Sequence, residues 1–358
     1  MKAFVTGGTG FIGRAVIRKL IARSYQVTAL ARSERGAAML REMGATAIVG
    51  DVTVRESMRE GMRNSDIVFH IAGVYDYTLE GIARCESVNI NGTRNVLGLA
   101  HELGVPRIVY TSTVAVFGNT YGALPDETYY AGGPFLSEYD RTKWSAHYDV
   151  AEPLIAQGAP IIIVMPGAVY GPGDTSWLAY TMRLFYRGLL PVLPGPETTL
   201  CYAHVDDIAE GHILAAEKGL PGESYILAGP AVPLGEMVEF WAQLTGKRPP
   251  ILTIPARFAR NLAPMLGRME SIVTLPAAFS KELFRLHGIS YAGRADKARA
   301  ELGWRPRPLQ SGISNTFEWI AATEPPGAGQ REKRAAGLLS LAVVGLLLFW
   351  LAGRKRLK

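Results

Sequence analysis

The sequence predicts an α/β protein: a doubly wound parallel sheet, then a smaller C-terminal lobe, then one C-terminal transmembrane helix. Three observations predict it. Short apolar runs alternate with amphipathic stretches up to residue 165; beyond Pro166 the chain breaks into Pro- and Gly-rich pieces; and 335–353 carries no charge in 19 positions. Alternating strand and helix signals imply parallel strands joined by crossover helices.

In chain order, the strand candidates are Ala3 to Val5, Val27 to Leu30, Ala47 to Val49, Ile67 to Ile71, Ile108 to Tyr110 and Ile161 to Val164. The first intervening segment places Val16, Ile17, Leu20 and Ile21 at helical spacing, with Arg14, Arg18, Lys19 and Arg23 elsewhere around it, so one face packs on the sheet. Residues 1–165 form the expected sheet domain and 166–322 the lobe, which includes Tyr225-Ile226-Leu227 as an isolated strand candidate. The stretch 323–334, with Pro325-Pro326-Gly327 and Gly329, reads as a linker. As a helix, 335–353 would reach roughly 28 Å, about one bilayer core, with basic residues at both ends. A membrane anchor with a cytoplasmic catalytic domain is expected. The apolar residues Phe258, Leu262, Met265 and Leu266, interleaved with Arg257, Arg260 and Arg268, are expected to lie against the membrane beside it.

The chain has 358 residues, 48% apolar and 20% charged, and a net charge of +6. Seven cations against Glu332 in residues 331–358 account for all of that charge, so the preceding 330 residues are neutral. Basic residues that flank an apolar segment do not make a nucleic-acid footprint, and none is expected. Cys85 and Cys201 offer no disulfide framework, which agrees with a reducing compartment. No signal peptide is expected, because Ala3-Phe4-Val5 runs straight into a glycine turn. The six histidines form no H-E-x-x-H or Cys/His cluster, so no metal site is expected. His204 and His212 read as structural, with His70 a candidate neighbour of the cofactor.

That turn, Thr6 to Gly13, reads TGGTGFIG. After a strand and before a helix, Gly7 permits the bend, Gly10 lets the backbone approach a pyrophosphate, and Gly13 allows close helix–sheet packing. The helix N-terminus supplies N–H groups to the phosphates. The second strand ends Leu30-Ala31-Arg32-Ser33, without the carboxylate that holds a ribose 2′-hydroxyl in NAD sites. A guanidinium there suits a 2′-phosphate, which favours NADP over NAD. Tyr139 and Lys143, four apart, share a helix face; a neighbouring ammonium favours the phenolate of a group that is otherwise a poor base. Thr111-Ser112-Thr113, at a strand end, offers a hydroxyl beside them.

Together these segments resemble the extended short-chain dehydrogenase/reductase family, with its Rossmann domain, over residues 1 to about 320. Gly50-Asp51-Val52, Phe69 to Gly73, Asn89-Ile90-Asn91-Gly92-Thr93, Tyr110 to Gly118, Tyr139 to Lys143, Pro166 to Asp174 and His204 to His212 match its motifs. Dihydroflavonol-4-reductase-like and hopanoid-associated epimerase-like members are most similar, with 3β-hydroxysteroid dehydrogenases more distant. The resemblance implies hydride transfer at a carbonyl carbon. Tyr139 would be the general acid or base, Lys143 would hold the nicotinamide ribose, and Thr113 would anchor the substrate oxygen. It also implies a cofactor cradle of Gly7, Thr9, Gly10, Phe11, Ile12, Gly13, Arg32, Asp51, Val52, Ala72, Asn89, Lys143 and Pro166, and a homodimer.

The chain departs from the family at Met165, where Arg is frequent, at Pro166-Gly167-Ala168, where sugar-nucleotide enzymes carry Asn, and at Val114-Ala115, where dehydratases carry acids. An apolar substrate follows, with Trp177, Leu178, Tyr180, Met182, Leu184, Phe185, Tyr186, Leu189 and Leu190 as either its wall or a buried helix. The resulting expectation is a membrane-tethered NADP-dependent oxidoreductase for a hydrophobic carbonyl or alcohol. A sugar or sugar-nucleotide epimerase or dehydratase with retained dinucleotide, and a non-catalytic NADP-binding membrane scaffold, are the alternatives.

Overall fold

A computed structural model describes residues 1–272 and 277–323. Six strands follow the alternation: β1 (Lys2–Thr6), β2 (Gln26–Ala31), β3 (Thr46–Val49), β4 (Ile67–His70), β5 (Ile108–Thr111) and β6 (Ile161–Pro166). β4, β5 and β6 are buried at every position, as strands covered on both faces must be. The later strands are β7 (Ala168–Tyr170), β8 (Val192–Pro194), β9 (Thr199–His204), β10 (Ser224–Leu227), β11 (Ala231–Pro233), β12 (Leu252–Ile254) and β13 (Ser290–Tyr291).

The main sheet is parallel, in the order β10-β6-β5-β4-β1-β2-β3. Strand order reverses between β1 and β4, and the crevice above their C-terminal ends is where such sheets bind ligands. Register places Thr6 beside His70 and Tyr110 beside His70 on the other side, so all three strands end at one level. Tyr225 to Leu227, expected in the lobe, pairs with β6 as the edge strand of the main sheet, because the Val205–Lys218 helix returns the chain there. β7, β11 and β13 surround β9 in a second sheet over its own core of Tyr170, Met182, Phe185, Trp241 and Phe317.

The expected C-terminal membrane helix needs correction. No helix among the described residues is long and apolar enough to cross a membrane. The longest described helices, Ala256–Glu270 and Leu309–Thr323, have 15 residues each and reach about 22 Å, against the roughly 30 Å of a hydrocarbon core. Residues 335–353 lie outside the described residues, as does nearly all of the expected linker. The fold class therefore stands as α/β, with no helix among the described residues long and apolar enough to span a membrane, and the membrane localisation is withdrawn. Phe258, Leu262, Met265 and Leu266 also change role: they pack inward against Ile254, Ala263 and Phe284.

Candidate active site

The turn after β1 is shaped by what a side chain would strike. Gly7 has φ +75°, and a Cβ there would lie 2.6 Å from the Ala72 nitrogen; a Cβ on Gly13 would lie 2.1 Å from the Gly7 carbonyl oxygen. Only glycine fits either place. Gly10 then caps the Phe11–Ala22 helix with no side-chain hydrogen bond, so its first N–H groups remain available at the cavity. Arg14 donates to the Gly173 carbonyl at 3.1 Å, tying the loop after β7 over this turn.

A cavity of about 500 Å³ opens above the switch point. Gly7, Thr9, Gly10, Phe11, Ile12 and Gly13 line one side, Arg32, Asp51 and Val52 the far end, and Ala72, Thr113, Tyr139, Lys143 and Pro166 the floor. Every residue of the expected catalytic set and cofactor cradle lines this cavity except one. Asn89 is buried behind the wall: its Oδ1 accepts from the Val74 N–H at 2.7 Å, and its Nδ2 donates to the Val74 carbonyl and to Thr142 Oγ1. It positions the Ala72–Val74 segment and the Tyr139 helix, and does not line the cavity.

Ser137 caps the Glu138–Ser145 helix, and residues 139 and 143 share its inner face. Burial pushes the Tyr139 phenol well above its ordinary value, and the Thr113 hydroxyl bonded to it pulls partly back. Lys143 Nζ donates to the Thr111 carbonyl at 2.7 Å and to Tyr110 Oη at 3.3 Å, and burial pulls its pKa down to about 7. Of three ammonium donors, one remains for a cavity ligand. The three hydroxyls of the β5 end divide their work. Thr111 bonds His212 Nε2 at 2.9 Å, Ser112 bonds His147 Nδ1 at 2.7 Å, and Thr113 accepts from Ala115 N–H beside the Tyr139 phenol.

His212, His147 and His70 are buried, with pKa values pulled down to about 4, 3 and 3 by desolvation, so they serve as neutral braces. His70 sits between Thr6 and Thr93 hydroxyls, not in the cavity wall. His204 caps its helix by accepting from the Asp206 N–H. Among the described residues no group of side chains could hold a metal ion. Both cysteines are free and buried.

Sequence reasoning missed the aromatic half of the site. Tyr75 and Tyr77, just after the Ala72-Gly73 match, set their rings edge-on to Tyr139 at 4.9 and 6.2 Å. Trp177 Nε1 donates to Tyr75 Oη at 2.8 Å, so lobe and domain meet across the cavity. Tyr291, from β13, lines it too, and its phenol donates to Asp140 Oδ2 at 2.7 Å. The position of Tyr75 and Tyr77 beside a motif was a usable signal; Tyr291, about 150 residues away, offered none. Of the apolar run 177–190, Trp177 and Leu178 face the cavity, while Met182, Leu184 and Phe185 are lobe interior.

Comparison with known proteins places this geometry among relatives. The model of the NAD dependent epimerase/dehydratase family matches residues 3–228. A ketoreductase of Stigmatella aurantiaca, named for 4-hydroxy-2-methyl-3-oxo-4-farnesyl-3,4-dihydroquinoline-1-oxide, is 31% identical over 94% of this chain and 100% of its own. Sterol demethylase protein B of Methylococcus capsulatus is 28% identical over 89% and 98%. The crystal structure of gox2253 superposes with a TM-score of 0.76 at 29% identity, covering 89% of this chain and 98% of that one. UDP-glucose 4-epimerase of Thermotoga maritima, at 23% identity and TM-score 0.71 over 90% and 99%, shares the fold alone.

Proposed function

We propose, for a chain that belongs to the NAD dependent epimerase/dehydratase family and its extended short-chain dehydrogenase/reductase type, that it reduces the carbonyl of an apolar substrate with NADPH. Reductase-named relatives make it an oxidoreductase-type enzyme; the substrate class and the choice of NADP are the proposal. One observation carries it. Tyr139, Lys143 and Thr113 line the same cavity as the glycine turn, and burial keeps Tyr139 protonated, the state that gives a proton to a carbonyl oxygen.

The cradle of Gly7, Gly10 and Gly13 fits a dinucleotide, since side chains at Gly7 and Gly13 would collide with backbone and the helix N-terminus is uncapped. Bound, the nicotinamide supplies the hydride. Arg32 would meet a 2′-phosphate, and the free donor of Lys143 a ribose hydroxyl. Thr113 orients the substrate oxygen toward the Tyr139 O–H, which releases its proton as charge builds on that oxygen. Lys143 then faces the phenolate and stabilises it. Tyr75, Tyr77, Trp177, Leu283, Leu286 and Tyr291 exclude water and favour a greasy, ring-bearing ketone. Relatives named for a farnesylated quinoline oxide and for sterols support that class.

NADPH oxidation with a panel of lipophilic cyclic ketones tests the reading. We expect stoichiometric turnover, lowered about a thousandfold in kcat in Tyr139→Phe with little change in dinucleotide Kd. A dinucleotide that stays bound and is never consumed would overturn it in favour of epimerase or dehydratase chemistry.

A further inference from the structure

The Ala256–Glu270 helix buries its apolar residues, and its outward side is basic. Arg260 and Arg268, with Lys281 and Arg285 of the following Lys281–Arg285 helix, line an open groove to which no carboxylate among the described residues contributes. Gly267 allows the approach of the two helices. A Cβ there would lie 2.7 Å from Lys281 Cδ, so the lysine stem passes directly over the helix backbone.

Elsewhere on this surface, neighbouring arginines are neutralised: Arg23 by Glu210, Arg59 by Glu56 and Glu102, Arg141 by Glu86 and Glu138. The groove differs. Arg260 donates to the His287 carbonyl at 3.3 Å, and no ion pair within the described residues reaches Arg268, Lys281 or Arg285. Two acids stand close by and offset part of this charge: Glu270 Oε1 accepts from the Lys281 N–H at 3.1 Å, and Glu282, attracted by Arg285 and Lys281, accepts at Oε2 from the Glu138 N–H at 3.2 Å. Four cations line the concavity against two acids beside it, so the excess positive charge favours an anion there. Guanidinium forks match phosphoryl oxygens in pairs.

We propose that this groove is a second anion site, separate from the dinucleotide cavity, for a multiply charged oxyanion: a phosphate or pyrophosphate ester. The Lys281–Arg285 helix contributes to both the groove and the cavity. Leu283 lies between Lys281 and Arg285 in sequence and lines the cavity, and the His287 ring lines it while its carbonyl is held by Arg260.

The test is calorimetric titration of the full chain, its dinucleotide cavity saturated with NADP⁺, with inorganic pyrophosphate. One saturable site is expected, weakened by salt and by roughly tenfold or more in R268Q/R285Q, and unchanged in R32A. Flotation with phosphatidic acid vesicles, run on the same variants, separates a lipid headgroup from a free phosphate ester: saturation by either source that the double variant loses supports the groove. No saturable binding of either, or equal binding by R268Q/R285Q, overturns the proposal. Because dinucleotide affinity is measured on the same samples, failure of the groove and failure of the reductase reading remain distinct results.

Discussion

Lys143 carries opposing demands in one side chain. In the proposed reaction its ammonium faces a phenolate, yet it is buried, and desolvation lowers its pKa to about 7 against an ordinary 10.5. Between pH 7 and 10.5 the unfolded chain binds the proton that the folded one releases, so this group's penalty shrinks as pH rises. Lys143→Met removes the linkage. Chemical denaturation of the dinucleotide-free protein should show wild type gaining about 2 kcal/mol on the variant between pH 7 and pH 9, while the variant loses reductase activity. A flat difference would mean that the lysine is hydrated in solution. Arg32 poses a simpler question, because it is exposed at the cavity end beside a strand tip that carries no acid. Arg32→Ala should weaken NADPH binding roughly tenfold, measured by fluorescence, and leave NADH binding nearly unchanged.

At the scale of elements, the strand–turn–helix unit around the glycines is a geometric lock. Gly13→Ala places a methyl 2.1 Å from the Gly7 carbonyl oxygen, so the turn or the helix must move. A loss of about 2 kcal/mol in unfolding free energy and at least a roughly tenfold loss of dinucleotide affinity are expected, read by denaturation and titration. Local signals made this unit, the Tyr139–Lys143 helix and Thr113 legible in sequence, since each depends on neighbours within one or two turns. Asn89 was legible as a motif residue but not in its role. Its amide closes a ring of bonds with Val74 and Thr142, and which way a helix turns such a residue depends on the loop packed against it. The apolar run after Ser176 was ambiguous for the same reason: only the first turn, at Trp177 and Leu178, meets the cavity.

For the whole molecule, the lobe completes the site. Tyr291 from the second sheet donates to Asp140 on the Tyr139 helix, and the other Asp140 oxygen is buried without a partner. Burial raises that carboxyl to about 6, so its proton favours folding below pH 4 and that contribution is lost as pH rises through 6. Tyr291→Phe should cost about 1–3 kcal/mol at pH 7.5 in thermal or chemical unfolding and raise KM for the ketone more than it lowers kcat. An unchanged KM would show that the phenol serves folding only. The alternation of apolar runs, the glycine turn and the four-residue spacing of phenol and amine were enough to determine the parallel sheet, the tight turn after its first strand and the placement of Tyr139 and Lys143 on one helix face, because each is written in short-range periodicity and steric exclusion. Only the tertiary structure decided which aromatic rings surround Tyr139, that Tyr225 to Leu227 rejoins the main sheet, and that Phe258, Leu262, Met265 and Leu266 pack inward. Those outcomes depend on contacts between residues far apart in the chain, where burial, not local pattern, selects the partner.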